Sequence, residues 1–248
     1  MGWAAAGWIA NAEQCQSLNV VGRAAKRRPY RAICVREVSF LMKSSENGGG
    51  ERVADIIIEG LYKCYGGKDV LRDFSLTLPV GRVTCLMAPS GAGKTTLLRL
   101  LAGLEAPDAG SVAGLDGLRL GVVFQEDRLL DWLDAVENIR LTAPERSGDY
   151  IVEELQRFGL GSIEGQPVGE LSGGMRRRVA LLRALLSPAD VLLLDEPFNG
   201  LDEATRAAVA KEALRLINGR TALLITHDPD EAGLMGAETV RPFLGSDG

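Results

Sequence analysis

The sequence has few of the residues that stabilise secreted or metal-built folds. Its 248 residues include one histidine and four cysteines, and no two cysteines form a CxxC pair. These numbers argue against a disulfide framework or a cysteine-based zinc site, and they fit a reducing compartment. Long hydrophobic runs are also missing, since none approaches the roughly 20 residues of a membrane span. We therefore expect a soluble chain that reaches a membrane only through a partner.

The chain also lacks an excess of positive charge. Its net charge is -5 and its isoelectric point is about 5.1, which gives no electrostatic support for nucleic-acid binding. The hydrophobic content of 46% and the charged content of 25% are those of an ordinary globular protein. This length and composition predict one substantial domain, or one domain with a subdomain.

The first part of the chain differs from the remainder. Residues 1–42 contain six basic and two acidic residues, and the segment Lys43–Glu51 has the composition of a flexible linker. A basic targeting arm is one interpretation, but scattered basic residues without periodicity favour a disordered leader. We predict such a leader and linker over residues 1–52 and a folded domain over 53–248. We also predict that Met1 to Leu41 is either disordered or precedes the natural start at Met42.

Short apolar runs alternate with helical patterns over the folded domain. Two runs, Ile56–Glu59 and Phe74–Leu78, predict a two-stranded sheet at the edge of the fold. The other runs are continuous, as in a parallel sheet buried on both faces: Val83–Met87, Gly121–Phe124, Val191–Leu194 and Ala222–Ile225. Residues 126–189 have helical periodicity and predict a helical subdomain inserted into this α/β core. Within it, the consecutive arginines at 176, 177 and 178 are interpreted as a solvated helix face.

The most informative motif is APSGAGKTT, Ala88 to Thr96, between an apolar strand and a leucine-rich helix. Its glycines let backbone N–H groups converge on phosphate oxygens at a helix N-terminus. Lys94 is placed to contact the β- and γ-phosphates, and the Thr95 hydroxyl is placed to bind Mg²⁺. This spacing predicts a phosphate-binding loop, although Ala88 stands where glycine is usual. The residues that we predict to contact the nucleotide are Ser90, Gly91, Ala92, Gly93, Lys94, Thr95 and Thr96.

Three further motifs supply candidate chemistry. The buried strand of VLLLDEP ends in two carboxylates, of which Asp195 is predicted to hold Mg²⁺ and Glu196 to deprotonate the attacking water. LSGGM opens a helix, so Ser172 with Gly173 and Gly174 forms a second candidate phosphate site; as an isolated motif it would be a plain helix cap. The single histidine, His227, directly follows the last apolar strand, where ligands of parallel sheets bind.

In this order the motifs resemble the nucleotide-binding subunit of ATP-binding-cassette (ABC) transporters. The resemblance covers roughly Val53 to Phe243, with Met175 where glutamine is commonest in the signature motif. It implies that Tyr65 stacks on adenine, that Gln125 is the Q-loop residue that meets Mg²⁺ and the attacking water, and that Asp202 belongs to the D-loop at the nucleotide. The run FQEDRLLDWLDAVENI is most similar to the importer group for nitrate, sulfonate and taurine.

The resemblance also implies a mechanism and partners. Two subunits should dimerise head to tail around two ATP molecules, with Mg²⁺, and hydrolysis should reopen the dimer. The residues after Gln125 should receive a helix of a separate membrane permease, and Leu129, Leu130, Trp132 and Leu133 make this loop unusually apolar. An extracytoplasmic solute-binding protein is the expected third component, and the subunit is expected on the cytoplasmic face of the membrane.

Two alternatives to an importer ATPase are open on the sequence. A cassette ATPase of DNA repair or translation would carry a coiled-coil insertion or a second cassette with a basic linker, and this sequence has neither. A non-hydrolysing ATP-binding switch is supported only by Ala88 and Met175. It is opposed by four intact residues, Lys94, Asp195, Glu196 and His227. The transported solute does not follow from the sequence, because selectivity belongs to other subunits.

Overall fold

The computed structural model describes residues 54–89 and 91–241. The predicted leader over residues 1–52 and the predicted nucleotide contact of Ser90 therefore lie outside the described residues. The proposed domain bounds accordingly remain predictions.

Within residues 54–89 and 91–241, eight strands form two sheets. A three-stranded antiparallel sheet has the order β2-β1-β4, and a five-stranded parallel sheet has the order β5-β6-β7-β3-β8. In chain order the strands are β1 Ile56–Tyr65, β2 Lys68–Leu78, β3 Val83–Met87, β4 Ala109–Ala113, β5 Leu120–Val123, β6 Val191–Asp195, β7 Thr221–Thr226 and β8 Glu238–Val240.

Six α-helices accompany the strands in the described part of the chain. They are α1 Lys94–Leu101, α2 Ala135–Arg140, α3 Gly148–Arg157, α4 Gly173–Leu186, α5 Glu203–Ile217 and α6 Pro229–Leu234. Over residues 126–189 every regular element is helical, and α2 and α3 begin at the side-chain caps Asp134 and Ser147. None of the described helices is both long and apolar enough to cross a membrane.

The antiparallel sheet is larger than the sequence indicated. We predicted two short strands, whereas β1 runs to Tyr65 and β2 starts at Lys68, so that only Gly66 and Gly67 remain as the turn. Both glycines have positive φ, as a tight hairpin requires. A third strand, β4, pairs with β1. The predicted alternation of Phe74–Leu78 is confirmed, since its apolar residues are buried and its Ser and Thr are exposed.

The parallel sheet is covered on both faces, as the continuous apolar runs predicted. Along β6, Leu192 and Leu194 belong to one buried cluster with helices α2 to α6, because alternate residues of a strand point to opposite faces. Val191 and Leu193 belong to a second buried cluster with α1 and the antiparallel sheet. A buried apolar cluster therefore packs against each face of the parallel sheet, and this packing fixes the positions of the strand ends.

Candidate functional site

The predicted chemical residues meet at one edge of the parallel sheet. Strands β5, β6, β7 and β3 are consecutive neighbours, and their registers bring Val123, Leu194, Leu224 and Cys85 to the same level. The residues that follow these strands therefore emerge side by side at the carboxyl edge, where parallel α/β sheets bind ligands. The motifs that emerge there are Gln125 after β5, Asp195–Glu196 at β6, His227 after β7 and the phosphate-binding loop after β3.

The phosphate-binding loop passes close to the antiparallel sheet at Gly93. This residue caps α1 with a φ of 79°, which L-residues with a side chain rarely adopt. A Cβ at this position would lie 2.8 Å from the backbone oxygen of Val70 in β2. Gly91 also has a positive φ, of 83°, but no atom lies within 4 Å of the place of its Cβ. Glycine is thus required at 93 for packing as well as for conformation.

Glu196 forms the centre of the site. Its Oε1 accepts a hydrogen bond from Lys94 Nζ at 2.9 Å and lies 3.2 Å from His227 Nδ1. Lys94 and Glu196 are both largely buried, whereas His227 is 63% exposed. Partial burial acts to raise the pKa of Glu196, but Lys94 and His227 outweigh it and the net pKa is lowered. The side chain is therefore an ionised carboxylate at neutral pH.

The backbone of Glu196 is also unusual. Its φ is 46°, in the left-handed region, which costs energy for a residue other than glycine. The amide N–H donates to the carbonyl of Ile225 in β7 at 2.8 Å, and the Asn199 N–H donates to its carbonyl at 3.1 Å. The sharp turn after β6 directs the carboxylate towards both Lys94 and His227.

Asp195 has the properties of a cation ligand. It is 2% exposed, and its Oδ2 has no hydrogen-bond partner in the structure. Burial, followed by repulsion from Glu196, raises its pKa, whereas Lys94, Arg177 and the Thr95 hydroxyl lower it. Carboxylate and hydroxyl oxygens are ligands that Mg²⁺ prefers, so Asp195 and Thr95 fit a magnesium ion completed by phosphate and water oxygens. The described residues contain no cluster of three or more acidic, histidine or cysteine ligands.

Tyr65 ends β1 with a ring that is 42% exposed. Its hydroxyl donates to Glu105, and the ammonium of Lys63 lies 5.5 Å from the ring centroid. The Thr96 hydroxyl also acts on the pKa of the Tyr65 phenol, so this ring lies close to the N-terminal turn of α1. An exposed ring beside the phosphate-binding loop is suitably placed to stack on a base, and this role remains a prediction.

The second predicted phosphate site lies at the start of α4. Ser172 is the N-cap, and its side chain accepts from the Met175 N–H at 3.3 Å. Gly173 has no atom within 4 Å of the place of a Cβ, so this helix end is open to solvent. Asp202 is the N-cap of α5 and accepts from the Thr205 N–H at 2.9 Å. Both residues therefore have capping functions, and their contacts with a nucleotide remain predictions.

The predicted solvated face of α4 is wrong. Arg177 is 4% exposed and donates to the carbonyls of Phe124 and Glu196, while Arg178 donates to that of Phe158 at 2.9 Å. Arg176 is partly buried beside Asp131. The sequence gives no local signal for this burial, because the carbonyls that accept from Arg177 lie in segments distant from it along the chain.

Arg183 on the same helix is also buried and was missed. Its Nη1 donates to the Arg128 carbonyl at 2.8 Å and its Nη2 to the Asp127 carbonyl at 3.0 Å. Burial lowers the pKa of Arg183 to about 10, which still leaves it protonated at neutral pH. Two buried arginines of α4 thus hold the loop that follows Gln125.

The apolar residues of the loop after Gln125 are only partly exposed. Leu129 is 8% exposed and belongs to the core, and Leu130 and Leu133 are half-buried. Asn138, which is fully buried, accepts from the Leu130 N–H at 2.9 Å and fixes the loop against α2. Trp132, in contrast, is 55% exposed. Of the four apolar residues predicted to meet a partner, Trp132 is the most exposed, and partner binding by this loop remains a prediction.

Comparison with known proteins decides the family. A family model described as "ABC transporter" matches residues 71–199. The chain belongs to the ABC transporter family. A similar protein is the aliphatic sulfonates import ATP-binding protein SsuB 1 of Rhodococcus jostii, 44% identical over 179 residues, which are 70% of this chain and 73% of that protein. Another is the taurine import ATP-binding protein TauB of Yersinia pestis, 39% identical over 196 residues, 73% and 76% of the two chains.

Solved structures agree with this assignment. A dimeric, post-hydrolysis structure of the ATP-binding cassette MJ0796 bound to ADP and phosphate superposes with a TM-score of 0.64 and 27% identity, covering 72% of this chain and 90% of that one. The predicted α/β fold with a parallel core and an antiparallel sheet is thereby confirmed. As an ABC ATP-binding subunit, the chain binds and hydrolyses ATP.

Proposed function

We propose that this ABC ATPase works as the peripheral subunit of an importer, in which two subunits close on two ATP molecules and drive a membrane permease. The proposed mechanism of ATP hydrolysis rests on one observation: Lys94 Nζ and His227 Nδ1 both contact the same carboxylate oxygen of Glu196. The importer part rests on similarity to relatives that are named as import proteins for sulfonates and taurine.

Glu196 is the residue that we assign to the attacking water. Lys94 and His227 keep its pKa low against the effect of burial, so the carboxylate is ready to accept a proton. When phosphates occupy the loop, the Lys94 ammonium is expected to transfer from Glu196 to the phosphate oxygens. His227 Nδ1 then remains on the carboxylate oxygen and orients it towards the water.

Asp195 and Thr95 are the residues that would hold Mg²⁺. The buried Asp195 oxygen without a hydrogen-bond partner is the observation that supports this role. When bound, the ion would offset the negative charge that develops on the phosphate oxygens. We place Gln125 beside this group, because β5 and β6 are adjacent and Gln125 is exposed two residues beyond β5.

The dimer that we propose is arranged head to tail. Each chain carries two helix ends suited to phosphate, one at α1 and one at α4, and the α4 end is exposed at Ser172 and Gly173. The exposed end would complete the nucleotide site of the other subunit. Asp202, at the start of α5, is proposed to lie at the same junction.

The partners are proposed from the exposed loop and the relatives. Trp132 projects from a loop that α4 anchors through Arg183, which suits a contact with a permease helix. By analogy with the sulfonate and taurine relatives, we propose a small sulfonated organic solute, delivered by a solute-binding protein on the other side of the membrane. The subunit would then sit at the cytoplasmic membrane surface.

The experiment that tests the catalytic part is the Glu196→Gln substitution. The amide keeps the shape but cannot accept the water's proton, so kcat should fall by about 10²–10⁴, the usual weight of general-base catalysis. ATP binding, measured by calorimetry, should persist, and dimers should accumulate with ATP. Turnover unchanged in this variant would remove Glu196 from the role, and loss of ATP binding would show that it acts on nucleotide affinity instead.

A further inference from the structure

Arg177 is a charged residue that is almost completely buried beside the site. Its side chain is 4% exposed on the second turn of α4, although the residues on either side of it are only partly buried. An unpaired buried charge is very costly, so a guanidinium persists there only if acceptors surround it. All three of its nitrogens donate, and each of their acceptors belongs to one of two segments of the chain.

The first segment is the start of the loop after β5. Arg177 Nη1 donates to the Phe124 carbonyl at 2.6 Å, to the Gln125 carbonyl at 3.4 Å and to Asp127 Oδ1 at 3.1 Å. These contacts fix the main chain on both sides of Gln125. The loop continues from here to the exposed Trp132.

The second segment is the turn that carries the two acidic residues. Arg177 Nη2 donates to the Asp195 carbonyl and, at 2.8 Å, to the Glu196 carbonyl, which Nε also reaches at 3.2 Å. Glu196 has a left-handed backbone, so its conformation depends on what its surroundings hold in place. The Arg177 guanidinium stabilises this turn through hydrogen bonds to its main-chain carbonyls.

We infer that Arg177 is a positioning residue that locks the Glu196 turn to the loop carrying Gln125. The inference rests on the proposed role of Glu196 and extends it to a residue that touches no substrate. The planar fork of arginine can serve acceptors on two sides at once, whereas a lysine ammonium at the same place would serve only some of them. A shift of the loop is therefore passed to the carboxylate through one side chain.

The test compares two buried arginines of the same helix. Arg177→Met removes the link between both segments. Arg183→Met is the matched control, because Arg183 is also buried but donates to the Asp127 and Arg128 carbonyls of the same loop rather than to the turn after β6. At a temperature well below both melting transitions, we expect Arg177→Met to lower kcat about 10- to 100-fold with KM changed less than about twofold. Arg183→Met should keep kcat within about threefold of the parent.

Hydrogen exchange distinguishes a local effect of Arg177 from a general loss of stability, because only a local effect is confined to particular peptides. Arg177→Met should speed exchange in peptides covering both 124–131 and 195–199, while Arg183→Met should affect only 124–131. Arg177→Lys should recover part of the lost kcat. If Arg177→Met does not fold, Arg177→Gln, which keeps two N–H donors, takes its place in each comparison.

The outcomes separate this inference from the proposed function. If Glu196→Gln abolishes turnover but Arg177→Met keeps it, the positioning role is wrong and the base assignment stands. Equal kcat losses in the two arginine variants, or unchanged exchange at 195–199 in Arg177→Met, would also overturn the positioning role. If Glu196→Gln itself leaves turnover intact, the assignment of Glu196 as the base is wrong, whatever the arginine variants show.

Discussion

Glu231 is a carboxylic acid that the fold encloses one turn after His227. It is 5% exposed, and its Oε2 has no hydrogen-bond partner in the structure. Burial raises its pKa, with Asp228 adding to the effect, while Thr226, Arg206 and His227 oppose it. The nearby Cys85 thiol shows the same apolar surroundings, since burial and then Glu231 raise its pKa to about 11. Ionisation of Glu231 at neutral pH therefore works against folding.

Folding stability should therefore depend on pH through Glu231. For an acid whose pKa is raised on folding, the native state binds the extra proton, so stability falls as pH rises from the unfolded to the folded pKa. Glu231→Gln removes the titration and should raise Tm at pH 7.5 by about 2–4 °C per kcal/mol gained. The gain should shrink towards zero near pH 4, where both side chains are neutral. Calorimetric melts at the two pH values measure it, and an equal shift at both would contradict the explanation.

At the scale of elements, α4 shows what a sequence alone can and cannot provide. The phosphate-binding loop, the order of the motifs and four strands of the parallel sheet were predicted, because their patterns are local, whereas the short edge strand β8 was missed. The burial of Arg177 and Arg183 was not predicted, because their acceptors lie far away along the chain. Both arginines donate to the loop after β5, and Arg177 also donates to the turn after β6. Leu129 was misplaced for a related reason, since an apolar loop residue can face either a partner or the core.

The loop before α1 allows a matched glycine comparison. Gly93→Ala combines a strained positive φ with a Cβ 2.8 Å from the Val70 oxygen, whereas Gly67→Ala in the β1–β2 turn has the strain but nothing within 4 Å. We expect Gly67→Ala to lower the free energy of unfolding by about 1 kcal/mol and Gly93→Ala by about 2–3 kcal/mol. Only Gly93→Ala should also abolish ATP binding. Urea denaturation with nucleotide titration measures both effects, and equal losses would show that the backbone contact relaxes without cost.

The proposed docking role of the loop after β5 can be tested by comparing its exposed Trp132 with its buried Leu129. Trp132→Glu places a charge on a residue that is 55% exposed, whereas Leu129→Glu places one on a residue that is 8% exposed. The first variant should keep Tm within about 2 °C but lose co-purification with the permease from detergent-solubilised membranes, and the second should unfold. If Trp132→Glu melts as early as Leu129→Glu, the side chain is structural and the docking assignment is wrong.

At the scale of the whole molecule, the head-to-tail dimer makes a prediction about mixtures. Lys94→Ala disables the lysine of the phosphate-binding loop, and Ser172→Arg blocks the exposed end of α4. Each variant should be inactive alone, because both sites of its dimer contain the defect. A mixed dimer has one site in which Lys94 and Ser172 are both intact, so an equal mixture should recover up to about a quarter of the parent rate. ATPase activity against mixing ratio is the measurement, and no recovery at any ratio would rule out a site shared between subunits.

The spacing of the four strands whose carboxyl ends form the site is fixed by the sheet itself. Adjacent strands lie about 4.8 Å apart, so the row from β5 through β6 and β7 to β3 is about 14 Å wide and is set by main-chain ladders rather than by loops. Such a row cannot be stretched during a reaction cycle without breaking those ladders. For the permease partner proposed above, we therefore expect motion to be transmitted by rotation of whole segments relative to this sheet edge. The loop after β5, which Arg177 joins to the turn after β6, is the segment that we expect to rotate.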